Sequence, residues 1–283
     1  MMETINEQYL RSRILLREDN SHKGDYGHLL VVAGCQSMPG AAVLATGAAL
    51  HSGCGLVTLH STGRALQAVV NSFPSAMLSE DSGLYIGSIP PSLEKYSAIA
   101  VGPGLGQTPE TLTALRGLLA AAAQLRKPMV LDADALNMIA THPELWEMVP
   151  PRSVLTPHLG ELRRLVPRKE DKEMVAEVQS ICHRTNCTLV KKGFHTRVFT
   201  PDGSCLENTT GNPGMAKGGS GDVLTGLIGG LLARGYSAPV AAAMGVWIHG
   251  YSGDCLSTER SAEAYDSRDL IECLWRGFRR ICL

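Results

Sequence analysis

The sequence has no marked excess of charge of either sign. Its 283 residues include 26 basic and 27 acidic side chains, which leave a formal net charge of −1. Proteins that hold nucleic acid electrostatically carry clustered positive charge, so this balance argues against a nucleic-acid partner. Long apolar runs are also lacking: no stretch reaches the roughly 18 residues of a membrane-spanning helix, and the polar segment 1–28 does not resemble a secretory signal. We therefore predict a cytoplasmic protein with no membrane partner.

Two common nucleotide-binding motifs and the usual cysteine motifs are missing as well. No glycine loop is followed by Gly-Lys-Ser/Thr, and the third glycine of Gly102–Gly106 comes one residue too early for a dinucleotide fingerprint, because Gln107 stands in its place. The eight cysteines form no CxxC pair and show no spacing typical of zinc. We interpret them as reduced, buried thiols, which fits a reducing compartment.

The chain does contain short apolar runs that alternate with longer stretches of small residues. Runs without a polar alternation are typical of parallel strands covered on both faces, and their alternation with helices favours an α/β fold. No linker, repeat or low-complexity stretch divides residues 1–283, so we predict a single domain. The predicted strands are His28–Ala33, Leu56–His60, Ala98–Val101, Met129–Leu131, Ser153–Leu155, Leu189–Lys191 and Thr196–Thr200. The predicted helices are Gly40–Ser52, Pro109–Arg126, His142–Met148, Gly160–Leu165, Lys169–Thr185, Asp222–Arg234, Pro239–Leu256 and Ser267–Cys282.

Several predicted strands end in glycine, histidine or acidic residues. In open parallel sheets, ligands bind beyond the carboxyl ends of the strands. We therefore expect these loops to meet at one edge of the sheet and to build the site there. The loops begin at Gly34, Gly102, Asp132, Thr156 and Lys192.

The most informative segment is 212–226, in which a glycine-rich loop leads into an apolar helix. Glycines let the backbone approach a ligand closely, and a helix N-terminus attracts anions such as phosphate. Asp222 stands at the junction. It is either the N-cap of the helix or a base directed at the group beside the phosphate. A simple cap does not need the glycines that precede it, which favours the base.

Two strand ends leave a structural and a functional interpretation open. The turn Gly102–Gly106 is either purely structural or allows a flat ligand to lie close to the backbone. His158 lies in a Thr-Pro-His-x-Gly-Glu sequence, where it is either structural or a ligand contact. Glu161 of the same sequence can equally cap the following helix.

The acidic and basic strand ends are similarly ambiguous. Asp132 and Asp134 can hold Mg²⁺, since alternate residues of an extended segment point to the same side. Alternatively, they cap a helix that starts near Leu136. The Lys-Lys-Gly segment at 191–193 joins two predicted antiparallel strands. It presents charge to a nucleotide, or it is an ordinary hairpin with solvated lysines.

Segments spread over residues 23–254 follow the order of a known family. They are KGDYGHLLVVAG (23–34), MPGAA (38–42), SGCGLVTL (52–59), VGPGLG (101–106), LDADALN (131–137), LTPHLGEL (155–162), LVKKGFHT (189–196), GNPGMAKGGSGDVLTG (211–226) and HGYSGD (249–254). This set resembles the ADP- or ATP-dependent NAD(P)H-hydrate dehydratases of the ribokinase-like superfamily. Many small-molecule kinases share the glycine-Asp element, whereas TPHLGE together with KGDYGH is specific.

The resemblance implies a three-layer α/β/α sandwich with a central, mostly parallel sheet. It also implies ADP-dependent dehydration of the S-epimer of NAD(P)H hydrate (NADHX or NADPHX), which yields NAD(P)H, AMP and phosphate. ADP, or alternatively ATP, is then a co-substrate. Mg²⁺ is expected from the charge of the transferred phosphoryl group, but its ligands are not identified.

The resemblance also assigns roles to individual residues. Asp222 would be the base, and the backbone N–H groups of Gly219, Ser220 and Gly221 would stabilise developing charge. The substrate contacts would be Ala41 or Ala42, Gly106, His158 and Asp222. The nucleotide contacts would be Lys192, Gly193, Phe194, His195 and Thr196, with Gly221 at the phosphate.

Partners and rival functions follow from the same comparison. Family members commonly form homo-oligomers of tetramer size or larger, and an NAD(P)H-hydrate epimerase would be a separate chain, since the first motif begins at residue 23. One rival is an ATP-dependent kinase of a small hydroxylated vitamin precursor, which would release a stable phosphoester. The other is a non-catalytic nucleotide-binding protein, which would be expected to carry a damaged glycine-Asp loop, and this loop is intact.

Overall fold

The computed structural model describes residues 2–167 and 170–283, whose ten strands form one sheet. The sheet order is β1-β10-β9-β8-β7-β6-β5-β2-β3-β4, and all neighbouring strands are parallel except the two pairs made by β9. The predicted mostly parallel sheet is confirmed. The strands are β1 (Met2–Thr4), β2 (His28–Val32), β3 (Leu56–Thr62), β4 (Met77–Asp81), β5 (Ala98–Val101), β6 (Met129–Leu131), β7 (Val154–Leu155), β8 (Thr188–Lys191), β9 (Thr196–Phe199) and β10 (Cys205–Asn208).

Helices connect and cover these strands. They are α1 (Glu7–Arg11), α2 (Pro39–Leu50), α3 (Gly63–Ser72), α4 (Pro109–Gln124), α5 (Ala133–Thr141), α6 (Leu159–Leu165), α7 (Asp171–Thr185), α8 (Ser220–Ala233), α9 (Ala238–Glu259) and α10 (Ser267–Cys282). The segment Pro143–Met148, predicted as a helix, forms 3-10 turns. The start of the predicted helix at Lys169 lies outside the described residues.

The sheet separates two apolar cores, which β2 illustrates. Leu29 and Val31 pack into one core together with side chains of α2, α8 and α9. Leu30 and Val32 pack into the other, together with side chains of α4, α5 and α7. A strand buried on both faces has no polar side, which explains the continuous apolar runs of the sequence. The three-layer α/β/α arrangement is confirmed.

Three strands and two helices were not predicted, and the missed strands are short or polar. β4 reads MLSED and is mostly exposed at the edge of the sheet, and all three residues of β1 are exposed. The helices α1 and α3 were also missed, and α5 was expected only as an alternative, with a start near Leu136 rather than at Ala133. All eight cysteines are free thiols, but only Cys35, Cys182, Cys187 and Cys273 are buried as predicted, whereas Cys54, Cys205 and Cys255 are partly buried and Cys282 is exposed. Within residues 2–167 and 170–283, every helix is too short or too polar to cross a lipid bilayer.

Candidate active site

The loops at the carboxyl ends of the parallel strands meet, as the sequence predicts. The Gly34 amide after β2 donates to the Pro103 carbonyl after β5 at 2.8 Å. The Lys192 amide after β8 donates to the Pro157 carbonyl after β7 at 2.9 Å. The Lys192 ammonium also reaches Asp132 after β6, at 2.7 Å. One edge of the sheet therefore brings together residues that are far apart in the sequence.

A cavity of about 710 Å³ opens at this edge, next to the start of α8. This volume is typical of small-molecule sites. All residues predicted to contact the nucleotide line it, namely Lys192, Gly193, Phe194, His195, Thr196 and Gly221. His158 and Ser220 line it as well. The sequence-predicted nucleotide contacts are thus neighbours in space.

Asp222 lies in the first turn of α8, not at its cap. The N-cap is Gly219, whose backbone is left-handed with φ 87°, a conformation that favours glycine. Asp222 is the third residue of the helix, so the capping interpretation is wrong. A carboxylate in the first turn still gains from the positive end of the helix dipole. The side chain is therefore available for a role other than capping.

The environment of Asp222 makes its carboxyl group a weak acid. Burial is the main cause that raises its pKa, to about 7, and the negative charge of Asp132 raises it further. The Lys192 ammonium opposes this rise, and the carboxylates of Asp134 and Glu161 add to it. A group with a pKa near neutrality can both accept and release a proton at physiological pH, which is what general acid–base catalysis requires.

Beneath Asp222 lies a buried charge network centred on Asp132. This carboxylate is 1% exposed, accepts from the Lys192 ammonium at 2.7 Å and accepts from the Thr225 hydroxyl at 2.6 Å. Glu161 lies 3.9 Å from the same ammonium. Burial raises the pKa of Glu161, and the charge of Lys192 opposes that rise. Lys192 is therefore the counter-ion of a buried acidic cluster, besides lining the cavity.

This arrangement corrects the interpretation of Asp132 and Asp134. The extended segment ends at Asp132 because α5 begins at Ala133, so the two carboxylates do not alternate along a strand. Asp132 occupies the N-cap position of α5, but its side chain makes no capping hydrogen bond. Asp134 instead accepts from the Gly106 amide and the Gln107 side chain, both at 2.9 Å. Across residues 2–167 and 170–283, no cluster of three or more His, Cys, Asp or Glu side chains is placed to hold a metal ion.

His158 is held by a reciprocal capping box at the start of α6. Its Nδ1 accepts from the amides of Gly160 at 2.9 Å and Glu161 at 3.3 Å, while Glu161 accepts from the His158 amide at 2.9 Å. The prediction that Glu161 caps this helix is confirmed. The His158 side chain remains 55% exposed at the cavity wall. The capping hydrogen bonds hold the His158 ring in place, and the ring remains accessible to a ligand in the cavity.

Of the residues predicted to bind substrate, His158 lines the cavity, whereas Ala41, Ala42, Gly106 and Asp222 are not among the lining residues. A Cβ on Gly104 would lie 2.7 Å from the Cβ of Ala41, so the start of α2 packs tightly on the Gly102–Gly106 turn. Ala41 is partly exposed, whereas Ala42 is fully buried. Gly106 is bonded to Asp134, whose charge acts on Asp222. Of the two alanines, only Ala41 has surface to offer a ligand.

Two residues of α9 support the glycine loop, a role that the sequence did not reveal. Nε2 of buried His249 lies 2.9 Å from the Ser220 carbonyl oxygen, and burial lowers the pKa of His249 to about 4. The neutral ring therefore donates to that oxygen. Asp254 accepts from the Gly211 amide at 2.9 Å and from the Asn212 side chain at 3.0 Å. The HGYSGD motif pointed to this region, but the sequence alone does not show which backbone atoms His249 and Asp254 contact.

Sequence comparison connects this site to characterised relatives. The profile of the NAD(P)H-hydrate dehydratase family matches residues 29–276. The ADP-dependent (S)-NAD(P)H-hydrate dehydratase of Bacillus subtilis is 35% identical, over 96% of this chain and 97% of that protein. The bifunctional NAD(P)H-hydrate repair enzyme of Moorella thermoacetica is 36% identical over 95% of this chain, which spans only 52% of that longer protein.

Solved structures agree. The ADP/ATP-dependent NAD(P)H-hydrate dehydratase of B. subtilis, co-crystallised with ATP and Mg²⁺, superposes with a TM-score of 0.83 at 29% identity and covers 99% of both chains. A ribokinase-like superfamily protein of Enterococcus faecalis gives a TM-score of 0.86 at 24% identity, covers 100% of this chain and 97% of its own, and confirms the ribokinase-like fold. By profile and by similarity along its length, this chain belongs to the NAD(P)H-hydrate dehydratase family.

Proposed function

We propose that this chain catalyses the ADP-dependent dehydration of (S)-NAD(P)H hydrate to NAD(P)H, with release of AMP and phosphate. The observation that carries the proposal is the position of Asp222. Its carboxyl group, with a pKa of about 7, stands in the first turn of α8, and this helix begins at the wall of the cavity. The B. subtilis relative is named for the same reaction.

The reaction requires a base and donors for negative charge. Asp222 takes the proton from the hydroxyl group of the hydrate, and the oxygen attacks the terminal phosphorus of ADP as the bond to AMP breaks. Hydroxide leaves poorly and phosphate leaves well, so the carbon–oxygen bond then breaks with its electron pair on phosphate. Loss of a proton from the neighbouring ring carbon to water then restores the double bond. The proton on Asp222 returns to solvent.

The first turn of α8 supplies donors for the moving phosphoryl group. The Ser220 amide already makes a long bond, 3.4 Å, to the Lys217 carbonyl. The amides of Gly221 and Asp222 follow in the same turn, where an α-helix provides no internal partner. Such preorganised N–H groups stabilise charge that develops in a transition state. Of the proposed donors Gly219, Ser220 and Gly221, the Gly221 amide is therefore the best placed.

The two ligands would occupy adjoining surfaces. The nucleotide would lie in the cavity along Lys192–Thr196, where Phe194 is 86% exposed and offers a flat face to a purine ring. The nicotinamide hydrate would lie against Ala41, Gly106 and His158. Asp222 would stand between them, which suits a base that serves a transfer from one ligand to the other.

Magnesium would be held mainly by the nucleotide phosphates. The candidate carboxylate Asp132 is already bonded to Lys192 and Thr225. Mg²⁺ commonly binds through substrate phosphates and water with few protein carboxylates. When bound, the ion would neutralise charge on the phosphoryl group. Asp222 would still act as the base, and the amides of the first turn of α8 would still donate to the phosphoryl group.

Cytoplasmic location, a homo-oligomer and a link to an NAD(P)H-hydrate epimerase complete the proposal. The relative from M. thermoacetica, which is about twice as long as the matched region, is named bifunctional. This supports a second repair activity that works on the same substrate. The family resemblance supports the oligomer, and the balanced net charge of −1 fits the absence of a nucleic-acid partner.

An activity assay separates this proposal from the kinase alternative. Hydrated NADH and hydrated NADPH are each incubated with ADP and with ATP, and the reduced-nicotinamide absorbance and free phosphate are followed. We expect absorbance and phosphate to rise together, and faster with ADP. Absence of recovery with either nucleotide, combined with a stable phosphoester from a small hydroxylated vitamin precursor, would instead establish the kinase.

A further inference from the structure

Lys217, in the glycine loop before α8, has an unusual set of partners. Its ammonium donates to the backbone carbonyl oxygens of Ala262 at 3.1 Å, Glu263 at 3.1 Å and Tyr265 at 2.5 Å. The same nitrogen lies 4.7 Å from the centre of the Tyr265 ring. An ammonium group has three donors, so these carbonyl groups satisfy all of them. We call the three carbonyl oxygens of Ala262, Glu263 and Tyr265 the carbonyl cage.

The chemistry of the carbonyl cage suits a monovalent cation. Rings of backbone carbonyl oxygens replace the hydration shell of K⁺ in selective sites. Sites for divalent cations such as Ca²⁺, by contrast, rely on carboxylates. The cage consists of neutral oxygens together with the face of an aromatic ring, which also attracts cations. A single positive charge is therefore what these groups are arranged to hold.

The carbonyl cage lies next to the proposed phosphate-binding turn. Lys217 precedes Gly219, the N-cap of α8, by two residues and lines the same cavity as Gly221. The segment that forms the cage leads directly into α10. A second bond joins the same two segments, since the Ser267 hydroxyl donates to the Gly218 carbonyl at 2.8 Å. The lysine thus ties the loop to the chain before α10 at the point where the loop must hold its shape.

We propose that the Lys217 ammonium serves as a tethered monovalent cation that positions the amides of the glycine loop. The chain supplies this charge itself, so turnover needs no added K⁺ or NH₄⁺. Removing the side chain opens the carbonyl cage to a free ion of similar size. Lys217 is a positioning residue here, because it acts on the phosphate through the loop backbone.

Comparison of two substitutions at Lys217 tests the proposal. K217A removes the ammonium and leaves the cage open, whereas K217M removes the charge but keeps a side chain in the space. K127A is the matched control, because the Lys127 ammonium donates to one backbone carbonyl, that of Glu94, away from the site. Each protein is assayed in choline, Na⁺, K⁺ and NH₄⁺ chloride at equal ionic strength.

We expect the wild type and K127A to respond to K⁺ by less than about twofold. K217A should lose roughly 10- to 100-fold in kcat in choline, which is less than the loss of about 10²–10³ on removal of an oriented donor, because Lys217 acts on the donors indirectly. K⁺ or NH₄⁺ should restore most of the K217A loss, and Na⁺ much less. K217M should lose activity without recovery in any salt. A wild type that depends on K⁺, or a K217A that no monovalent cation restores, would overturn the proposal.

A second measurement does not need turnover, which matters because the activity assay rests on the proposed function. The melting temperature of K217A should rise with K⁺ to a plateau, while those of wild type and K217M should not respond beyond K127A. If K⁺ stabilises K217A in this way but the wild type shows no dehydratase activity, the dehydratase assignment is rejected and the cation proposal stands. Equal melting responses in all four proteins would reject the cation proposal alone. If K217A is insoluble, K217S replaces it, and insolubility of both in K⁺ contradicts the proposal.

Discussion

The Thr225 hydroxyl donates a 2.6 Å hydrogen bond to the Asp132 carboxylate, although 93 residues separate the two. Thr225 lies on α8 three residues after Asp222, and residues at this spacing share a face of a helix. Asp132 lies at the end of β6 and holds the Lys192 ammonium with its other oxygen. Asp132 therefore links the helix that carries Asp222 to the edge of the sheet, and the same carboxylate raises the pKa of Asp222.

Replacement of Asp222 by asparagine tests its role as base. We expect D222N to lower kcat by about 10²–10⁴, the usual contribution of general-base catalysis. The affinity for ADP, measured by calorimetry, should stay within a few-fold of the wild-type value, because the first-turn amides remain. D171N is the control, since Asp171 lies exposed in the first turn of α7. Turnover of D222N near the wild-type rate would disprove the assignment.

The same substitution should stabilise the protein in a pH-dependent way. The pKa of Asp222 rises from 3.8 to about 7 on folding, so its ionised form disfavours the folded state. This cost is absent below pH 3.8 and complete above about pH 7. We expect the free energy of unfolding of D222N to exceed that of wild type by roughly 2–4 kcal/mol at pH 8. Denaturant titrations should show the difference shrinking towards pH 5, and equal stability at pH 8 would contradict the raised pKa.

Removing the charge of Asp132 should move the pH profile. Asp132 raises the pKa of Asp222 and Lys192 lowers it. D132N removes the negative charge that raises this pKa and leaves the Lys192 ammonium to lower it. Asparagine can still accept from the Lys192 ammonium through Oδ1 and donate from Nδ2 to the Thr225 hydroxyl oxygen, so both contacts can be kept. We expect the acidic limb of kcat/KM against pH to shift to lower pH. A limb that stays in place, or moves to higher pH, would show that another group controls it.

Phe194 offers a test of the nucleotide surface. Its ring is 86% exposed at the cavity, and loss of stacking on a base costs about 1–3 kcal/mol. F194A should therefore raise the Kd for ADP by roughly 5- to 150-fold and leave kcat at saturating ADP nearly unchanged. W275A removes another exposed aromatic ring, away from this cavity, and serves as control. An unchanged Kd in F194A would place the purine elsewhere.

The sequence predicted the parts of the fold that burial dictates. Strands such as β2, β5 and β6 are apolar throughout because both faces of the sheet are covered, and that requirement is visible in the letters. The loops after these strands could be expected at one edge because parallel strands point the same way. The glycine-rich loop that leads into α8 was likewise visible, although the helix begins at Ser220 rather than at the predicted Asp222.

The sequence could not show which side chains meet. Asp132 read as a metal ligand or a cap, because its partners Lys192 and Thr225 lie 60 and 93 residues away. Edge strands such as β4 were invisible because exposed residues carry no hydrophobic pattern. The support given by His249 depends on a contact between two helices, and a short motif does not reveal its partner.

The different pKa values of His249 and Asp222 separate the two groups in their response to pH. The group that supports the glycine loop gives up its proton near pH 4, and the proposed base gives up its proton near pH 7. Across neutral pH, the supporting ring therefore keeps a constant charge while the reactive carboxyl group is switched on. Acidification within this range therefore protonates the Asp222 carboxylate while the His249 ring stays neutral and keeps its hydrogen bond to the Ser220 carbonyl.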